Sequence, residues 1–414
     1  FKINVKLTQG YSTRAVKDYE LLDAGQYMRM YWEGIANSYN GADASNNLID
    51  LLKSNPYGSD YPNPIDADGN VVAGAKLLWD NDWRDALTQT AKRTEFVGSV
   101  AGGSDKTQLY FSGGYLNEEG YALASKFERY SARLAANANP KKWLKIGTTM
   151  NLAHSEQNYP NSSGNAFSNV VMFGRNVSSI YNIYQRDLKT GEYILDADGN
   201  RLYDFGENRP YAANSNPVAT TKLNEIRYER ASVDLNSFAE ADIIKGLKFK
   251  SIYSVNYMVL SSHEYATPQF GDGKMVNGRS YKDRDQYLIW NFTNTLNYDK
   301  TFNEKHHINL LAGMEAYKSK IEELGAGRTG FPFEGLTELS SGAVLSRASS
   351  ATSNYALLGY LSQVTYDYSG KYYLSASFRR DGSSKFKSDN RWGNFWSVGA
   401  TWRVSQESFL NEVK

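Results

Sequence analysis

The sequence predicts an all-β chain whose strands form the wall of a transmembrane antiparallel β-barrel. Three observations lead there: sustained alternation of apolar and polar residues, strands longer than those of globular proteins, and turns that are short at one end of the strands and long at the other. The alternation is plainest in residues 129–154, RYSARLAANANPKKWLKIGTTMNLAH. Tyr130, Ala132, Leu134, Ala136 and Ala138 share one parity, and Arg129, Ser131, Arg133 and Asn137 the other. After Asn-Pro-Lys-Lys the pattern resumes, with Leu144, Ile146, Thr148, Met150 and Leu152 set against Lys145, Gly147, Thr149 and Asn151. Successive side chains of a strand point to opposite faces, so this is a hairpin with one apolar and one wet face.

Twelve segments alternate in this way, near 1–12, 92–102, 106–117, 126–138, 142–156, 229–244, 247–260, 284–300, 306–320, 353–369, 371–386 and 392–405. Late in the chain Leu358, Tyr360, Val364, Tyr366 and Tyr368 share a face, as do Tyr372, Leu374, Ala376 and Phe378, and Trp396, Val398, Ala400, Trp402 and Val404. Most segments exceed the usual globular strand of about 5–6 residues and reach the roughly 9–11 that a tilted strand needs to cross a bilayer. The connections GGSDK, NPKK, KG, FNEKH and SGK are short. The alternate ones, near 13–91, 118–125, 157–228, 261–283, 321–352 and 387–391, include four long loops, at 13–91, 157–228, 261–283 and 321–352. Outer-membrane barrels have this asymmetry, with short periplasmic turns and longer extracellular loops. Within the loops, Leu21, Leu22, Tyr27, Met28 and Tyr31 fall at near-helical spacing, and DNDWRDALTQT (80–90) reads as a capped helical turn.

Composition fits. In 414 residues, 46 Lys and Arg balance 45 Asp and Glu, so no net charge argues for a nucleic-acid partner. Mean hydropathy is −0.57, and no run approaches the roughly 18 apolar residues of a membrane helix; a barrel's hydropathy signal is weak in each strand. The 31 Tyr, 18 Phe and 8 Trp suit aromatic girdles at membrane interfaces. With no Cys there is no disulfide scaffold, zinc-thiolate site or thiol nucleophile. The chain opens in mid-strand with FKINVKLTQG, without an initiating Met or signal peptide, as expected of a piece of a longer or processed protein.

The motifs point away from enzyme chemistry, and no cofactor or metal is expected. GAGRTG (325–330) satisfies G-x-G-x-x-G, but Pro332 blocks the helix that a dinucleotide site requires, so a flexible loop is predicted. DADGN at 66–70 and 196–200 resembles the start of a calcium loop, yet Gly stands fourth rather than sixth; turns are the simpler reading. His154, His263, His306 and His307 lack metal spacing, and the adjacent pair should point to opposite faces. Two groups remain as candidates for holding a polar ligand. In the 157–228 loop, Arg175, Tyr181, Tyr184, Tyr203 and Arg209 could stack on apolar surfaces and fork to hydroxyls or carboxylates, unless they simply pack the loop. On the wet strand face, Arg129 and Arg133 would meet whatever passes inside.

NDWRDALTQT, VAGGSDKTQLYFSGGYLNEEG (100–120), FERYSARLAANANPKKWLKIGTTMNLAHSEQN (127–158), NPVAT (216–220) and FRRDGSSKFKSDNRWGNFWSVGATWRVSQESFL (378–410) together resemble the SusC-like TonB-dependent transporters of Bacteroidetes. Trp396 departs from that pattern, where the family often has Pro. The resemblance implies a 22-stranded barrel occluded by an N-terminal plug, of which residues 1–414 would be the N-terminal part of the barrel, about 12 strands, with the plug outside this chain. It also implies a SusD-like surface lipoprotein as lid and coupling to TonB–ExbB–ExbD through a region not in this chain. The cargo would be an oligosaccharide or a peptide, with glycans the commoner assignment, carried across outer-membrane lipid. A passive porin and a soluble secreted glycan-binding β-protein are the alternatives.

Overall fold

The computed structural model describes residues 1–16, 18–160 and 169–410. Twelve strands follow one another in a single sheet whose spatial order is the chain order. They are β1 (Lys2–Ser12), β2 (Ala91–Ser104), β3 (Thr107–Glu119), β4 (Lys126–Lys141), β5 (Leu144–Asn158), β6 (Glu225–Ile244), β7 (Leu247–Ala266), β8 (Arg279–Phe302), β9 (His306–Thr329), β10 (Val344–Tyr368), β11 (Tyr372–Ser383) and β12 (Trp392–Trp402). Every neighbouring pair is antiparallel. Neither β1 nor β12 has a partner on its outer side among the described residues, and unpaired backbone is untenable in hydrocarbon, so in lipid both edges must be paired.

The register carries one face across the whole sheet. Ile3 pairs with Val100, Val100 with Phe111, Phe111 with Leu134, Leu134 with Met150, Met150 with Leu235, Leu235 with Val255 and Val255 with Trp290. Farther along, Leu310 pairs with Val364, Val364 with Ala376 and Ala376 with Val398. A one-residue slip at any pairing would turn the next strand's apolar set inward. This apolar face has a finite height. On β6 the outward side runs Ala231, Val233, Leu235, Ser237, Ala239, Ala241 and then turns charged at Glu229 and Arg227. On β9 it runs Ile308, Leu310, Ala312, Met314, Ala316 and turns charged at Lys318 and Lys320. Each band matches one tilted bilayer crossing. Aromatic residues mark its borders: Tyr115 lies 5.0 Å from Tyr130 at the loop end, and Tyr368, Tyr372 and Trp402 stack in succession at the turn end.

The turn asymmetry holds. At one end the strands are joined by Asp105–Lys106, Lys142–Trp143, Lys245–Gly246, Asn303–Lys305 and Ser369–Lys371. Backbone φ is positive at Gly246 (86°), Asn303 (48°), Glu304 (57°), Ser369 (56°) and Gly370 (66°), as tight reversals require. At the other end, two expected loops are shorter than the sequence suggests. β7 to β10 run past the membrane, leaving 267–278 and 330–343 in place of 261–283 and 321–352. Above the bilayer both faces are wet, so SRASSATS (346–353) shows no alternation although it is strand. GAGRTG is likewise not a flexible loop: residues 325–329 continue β9, and the reversal comes at Gly330, φ 79°. Gly325 and Gly327 leave room there for Asp283, Arg347 and the Tyr281 ring.

The two remaining long loops fold against each other. The first contains α1 (Ala24–Ser38), α2 (Gly41–Leu52) and α3 (Trp83–Ala86); the second contains α4 (Val170–Asn176) and α5 (Pro217–Leu223), with its residues 161–168 outside the described set. Asp23 and Gln26 form a reciprocal capping box on α1, and Asp82 caps α3, as the 80–90 segment signalled. In α5, Asn216 caps and Pro217 takes the first helical position, whose N–H needs no partner. Met28, Leu48, Leu52, Trp83, Phe173, Ile180 and Val218 then bury one apolar core shared by both loops.

Candidate functional site

The inward parity of the wall is polar and cross-linked. Arg133 donates to Asn151 (2.8 Å), Asn256 to Asp234, and Asn236 to Ser254 (2.7 Å). Lower on the wall, Lys248 reaches Glu240 (2.9 Å); Arg379 bridges Glu315 (2.9 Å) and Asp381 (2.7 Å). His307 faces inward to Asp299 (3.1 Å), while His306 faces outward against Tyr366 and Tyr368, the opposite orientations expected of the pair. Arg129 stands on the same inward face as Arg133, four residues away and exposed. Both arginines therefore sit on the wet side, while Tyr130 and Leu134 sit on the apolar side.

At the long-loop end of the wall lies the loop cap, and it divides the five loop candidates. Tyr181 and Arg209 belong to its core. The Tyr181 hydroxyl donates to the Leu52 carbonyl (3.0 Å), and burial pushes its pKa up. Arg209 is 4% exposed and lies against the rings of Phe173, Tyr181 and Trp83 at 5.2, 5.6 and 6.0 Å. Its Nε donates to the Tyr211 carbonyl (2.8 Å), and Nη2 to the carbonyls of Ser215 (2.6 Å) and Ala212. Burial lowers its pKa to about 10. Neither side chain is free to meet a ligand in this arrangement; both tie the loop together.

Tyr184 and Tyr203 are more available. They face each other across a small antiparallel meander (Tyr184 with Tyr203, Arg186 with Tyr193, Leu195 with Arg201) and stack at 5.2 Å. The stack continues through the Arg201 guanidinium, 4.0 Å from the Tyr193 ring, and Arg186, also 4.0 Å from it. Lys222 of α5 lies 5.8 Å from the Tyr203 ring, and its hydrogen bond to that tyrosine raises its pKa. Arg175 is elsewhere: from the last turn of α4 it pairs with Asp18 (3.1 Å), which also holds Arg14 (2.7 Å). The five loop candidates thus form no single constellation.

The Asp18 pair carries a pH dependence. Arg14 chiefly, then Arg175, holds its carboxyl at about 2 against an ordinary 3.8. A depressed carboxyl pKa contributes stability that is present above the unfolded value and lost as pH falls through the folded one. Asp18 and the residues after it, 18–23, should therefore stay on α4 at neutral pH and come away between about pH 4 and 2, seen as new pepsin cleavage there. Asp18→Asn should expose the same segment to neutral proteases, with the wall unchanged.

The DADGN segments are turns. Asp66 accepts from the backbone of Asp68 (3.0 Å) and Asn70 (2.9 Å), Asp196 from Asp198 (2.9 Å) and Asn200 (2.8 Å), with Gly69 and Gly199 both at φ 82°. Among the described residues no three His, Cys, Asp or Glu gather to hold a metal. The sequence reading missed two recesses that adjoin at Tyr228. One, about 490 Å³, lies where α5 meets the tops of β6 and β7 and is lined by Tyr159, Glu264 and Arg279 among others. The other, about 450 Å³, runs over Leu260, Asp283, Asp285, Glu323 and Arg347. Inward parity alone could have indicated Asp285, Glu323 and Arg230.

An antiparallel wall with an outward apolar band, aromatic borders, a polar inner face and folded loops at one end defines an outer-membrane β-barrel. No helix among the described residues is long and apolar enough to cross a membrane. The chain is 26% identical over 382 residues to TonB-dependent receptor P39 of Formosa agariphila, covering 89% of this chain and 34% of that protein. It is 28% identical over 378 residues to TonB-dependent receptor P3 of the same organism (89% and 35%). To TonB-dependent receptor SusC of Bacteroides thetaiotaomicron it is 24% identical over 399 residues (91% and 37%). Among solved structures, the RagAB peptide transporter superposes with a TM-score of 0.71 at 25% identity, over 98% of this chain and 45% of that one. No family model matches. The chain is similar to a barrel segment of TonB-dependent receptors, SusC among them, and it spans about a third of the length of the curated relatives it matches.

Proposed function

We propose that this wall lines an import channel through which the outer membrane takes up oligomeric nutrients, without covalent chemistry. The observation that supports it most is the continuous division of twelve strands into an apolar outer and a polar inner face, with a folded loop cap at the long-loop end. The plug and the TonB–ExbB–ExbD coupling enter the proposal through the relatives, as does a SusD-like lipoprotein closing over the cap. The cargo is an oligosaccharide on the family resemblance, or a peptide, the cargo named for the RagAB structure. Cargo would meet the half-buried Tyr184 and Tyr203 rings and the exposed Arg175 of the cap first, and then Arg129 and Arg133 on the wall.

The test is uptake of radiolabelled oligosaccharides and peptides by cells carrying the native protein, with and without its lipoprotein partner. Uptake should stop when the proton-motive force is collapsed. Uptake that survives collapse, together with steady ion conductance in a planar bilayer, would instead identify a passive porin.

A further inference from the structure

One row of inward-facing residues deepens that reading. Pairing by pairing, Arg129 on β4 lies beside Ser155, Ser155 beside Arg230 on β6, Arg230 beside Leu260, Leu260 beside Asp285 on β8, and Asp285 beside Glu323 on β9. The row thus holds two cations at one end and two carboxylates at the other. Among the described residues none of the four has an ion-pair partner, although charges around them do. Arg93 takes Glu95, which stands in the same row (3.1 Å), and Glu118 (3.0 Å), while Arg347 takes Asp283.

The arrangement opposes itself. Asp285 and Glu323 are direct cross-strand neighbours of like charge, which disfavours the pairing. The nearest cation in the row, Arg230, is held off by the intervening Leu260 strand, about 10 Å away at a strand spacing of about 4.8 Å. The recess of about 450 Å³ lies over Asp285 and Glu323.

We propose that this row selects zwitterionic oligomers: a cargo carboxylate docks at Arg129 and Arg230, and a cargo ammonium between Asp285 and Glu323. The separations, about 10 Å from Arg230 to Asp285 and about 24 Å from Arg129 to Glu323 along the sheet, match extended chains of about three to seven residues at about 3.4 Å each. Short peptides with free termini have this charge pattern; neutral glycans do not. The proposal rests on the inner face being the transport path.

The experiment uses energised cells carrying the native protein with its lipoprotein partner. Four radiolabelled probes are compared: a free-ended Ala/Ser pentapeptide, the same peptide N-acetylated and C-amidated, a neutral glucose oligomer, and a glycan carrying both amino and uronic groups. The wild type should prefer the free-ended peptide over the blocked one by about tenfold or more, the scale of one charge-assisted contact. Asp285→Asn with Glu323→Gln, or Arg129→Gln with Arg230→Gln, should abolish that preference and flatten the salt dependence of binding. Equal loss with the amino-uronic glycan, and none with the peptide, would keep the charge recognition and move its source to glycans. Variants that leave every probe unchanged, or weaken all of them alike, would overturn the proposal, the latter by showing that these charges serve the fold. Energised uptake of the glucose oligomer alone would overturn the selectivity and leave the import reading intact; no uptake of any probe would overturn both.

Discussion

Leu134→Arg is expected to destabilise the wall by about 2–4 kcal/mol, the cost of a cation on the lipid face near mid-membrane. Leu134 sits mid-strand on β4, between Phe111 and Met150 in an unbroken apolar row. The turn at Lys142–Trp143 lies below it, and Glu128 and Lys126 lie above the band. An arginine there would have to snorkel past Tyr130 or carry water with it. Asn137→Arg, three residues on but on the wet face, is the control and should change stability by no more than about 0.5 kcal/mol, as surface substitutions do. Urea titration of the native protein in liposomes reads both. Equal effects at the two positions would mean that the apolar face is not in lipid.

The second large effect is expected in the cap. Trp83 is 2% exposed and packs edge-on to Phe173 at 4.8 Å, and its Nε1 donates to the Tyr181 carbonyl at 3.0 Å. Trp79 repeats the device on the Ile180 carbonyl at 2.9 Å. These two indoles join loops about a hundred positions apart. Trp83→Ala removes a buried ring and strands a carbonyl, which should cost the cap about 3–5 kcal/mol. The wall hairpins have their own ladders and should be untouched. Hydrogen exchange should therefore rise across 24–87 and 170–223 while β4 and β5 keep their protection; loss of protection in the strands as well would mean that cap and wall fold as one unit.

The contrast between these two regions explains what the sequence revealed. Strand existence, order and facing were legible because a two-residue period is a local property: Tyr130, Ala132 and Leu134 announce their face without reference to a partner. The upper ends of β8 to β10 were not legible, because above the bilayer both faces meet water and the period disappears, as in SRASSATS. The cap was half legible. The capping signal in residues 80–90 is local and located its helical turn, whereas the burial of Trp83 against Phe173 depends on two distant segments meeting. The same blindness affected Tyr181 and Arg209. As residue types they suit ligand recognition, and only the fold shows both buried, with the Tyr181 hydroxyl and the Arg209 Nε and Nη2 bound to backbone carbonyls. The row joining Arg129 and Arg230 to Asp285 and Glu323 needs the register of six strands, which no local pattern supplies.

The two-faced wall can be tested most directly with the help of the chain's lack of cysteine. Single cysteines placed in turn at positions 129 to 138 of β4, spin-labelled in the native protein in liposomes, report contact with dissolved oxygen in lipid or with a water-soluble nickel chelate. The account predicts a period of two: positions 130, 132, 134, 136 and 138 accessible to oxygen, and 129, 131, 133, 135 and 137 to the chelate. Chelate access at both parities, or a lipid signal with a helical period, would contradict it.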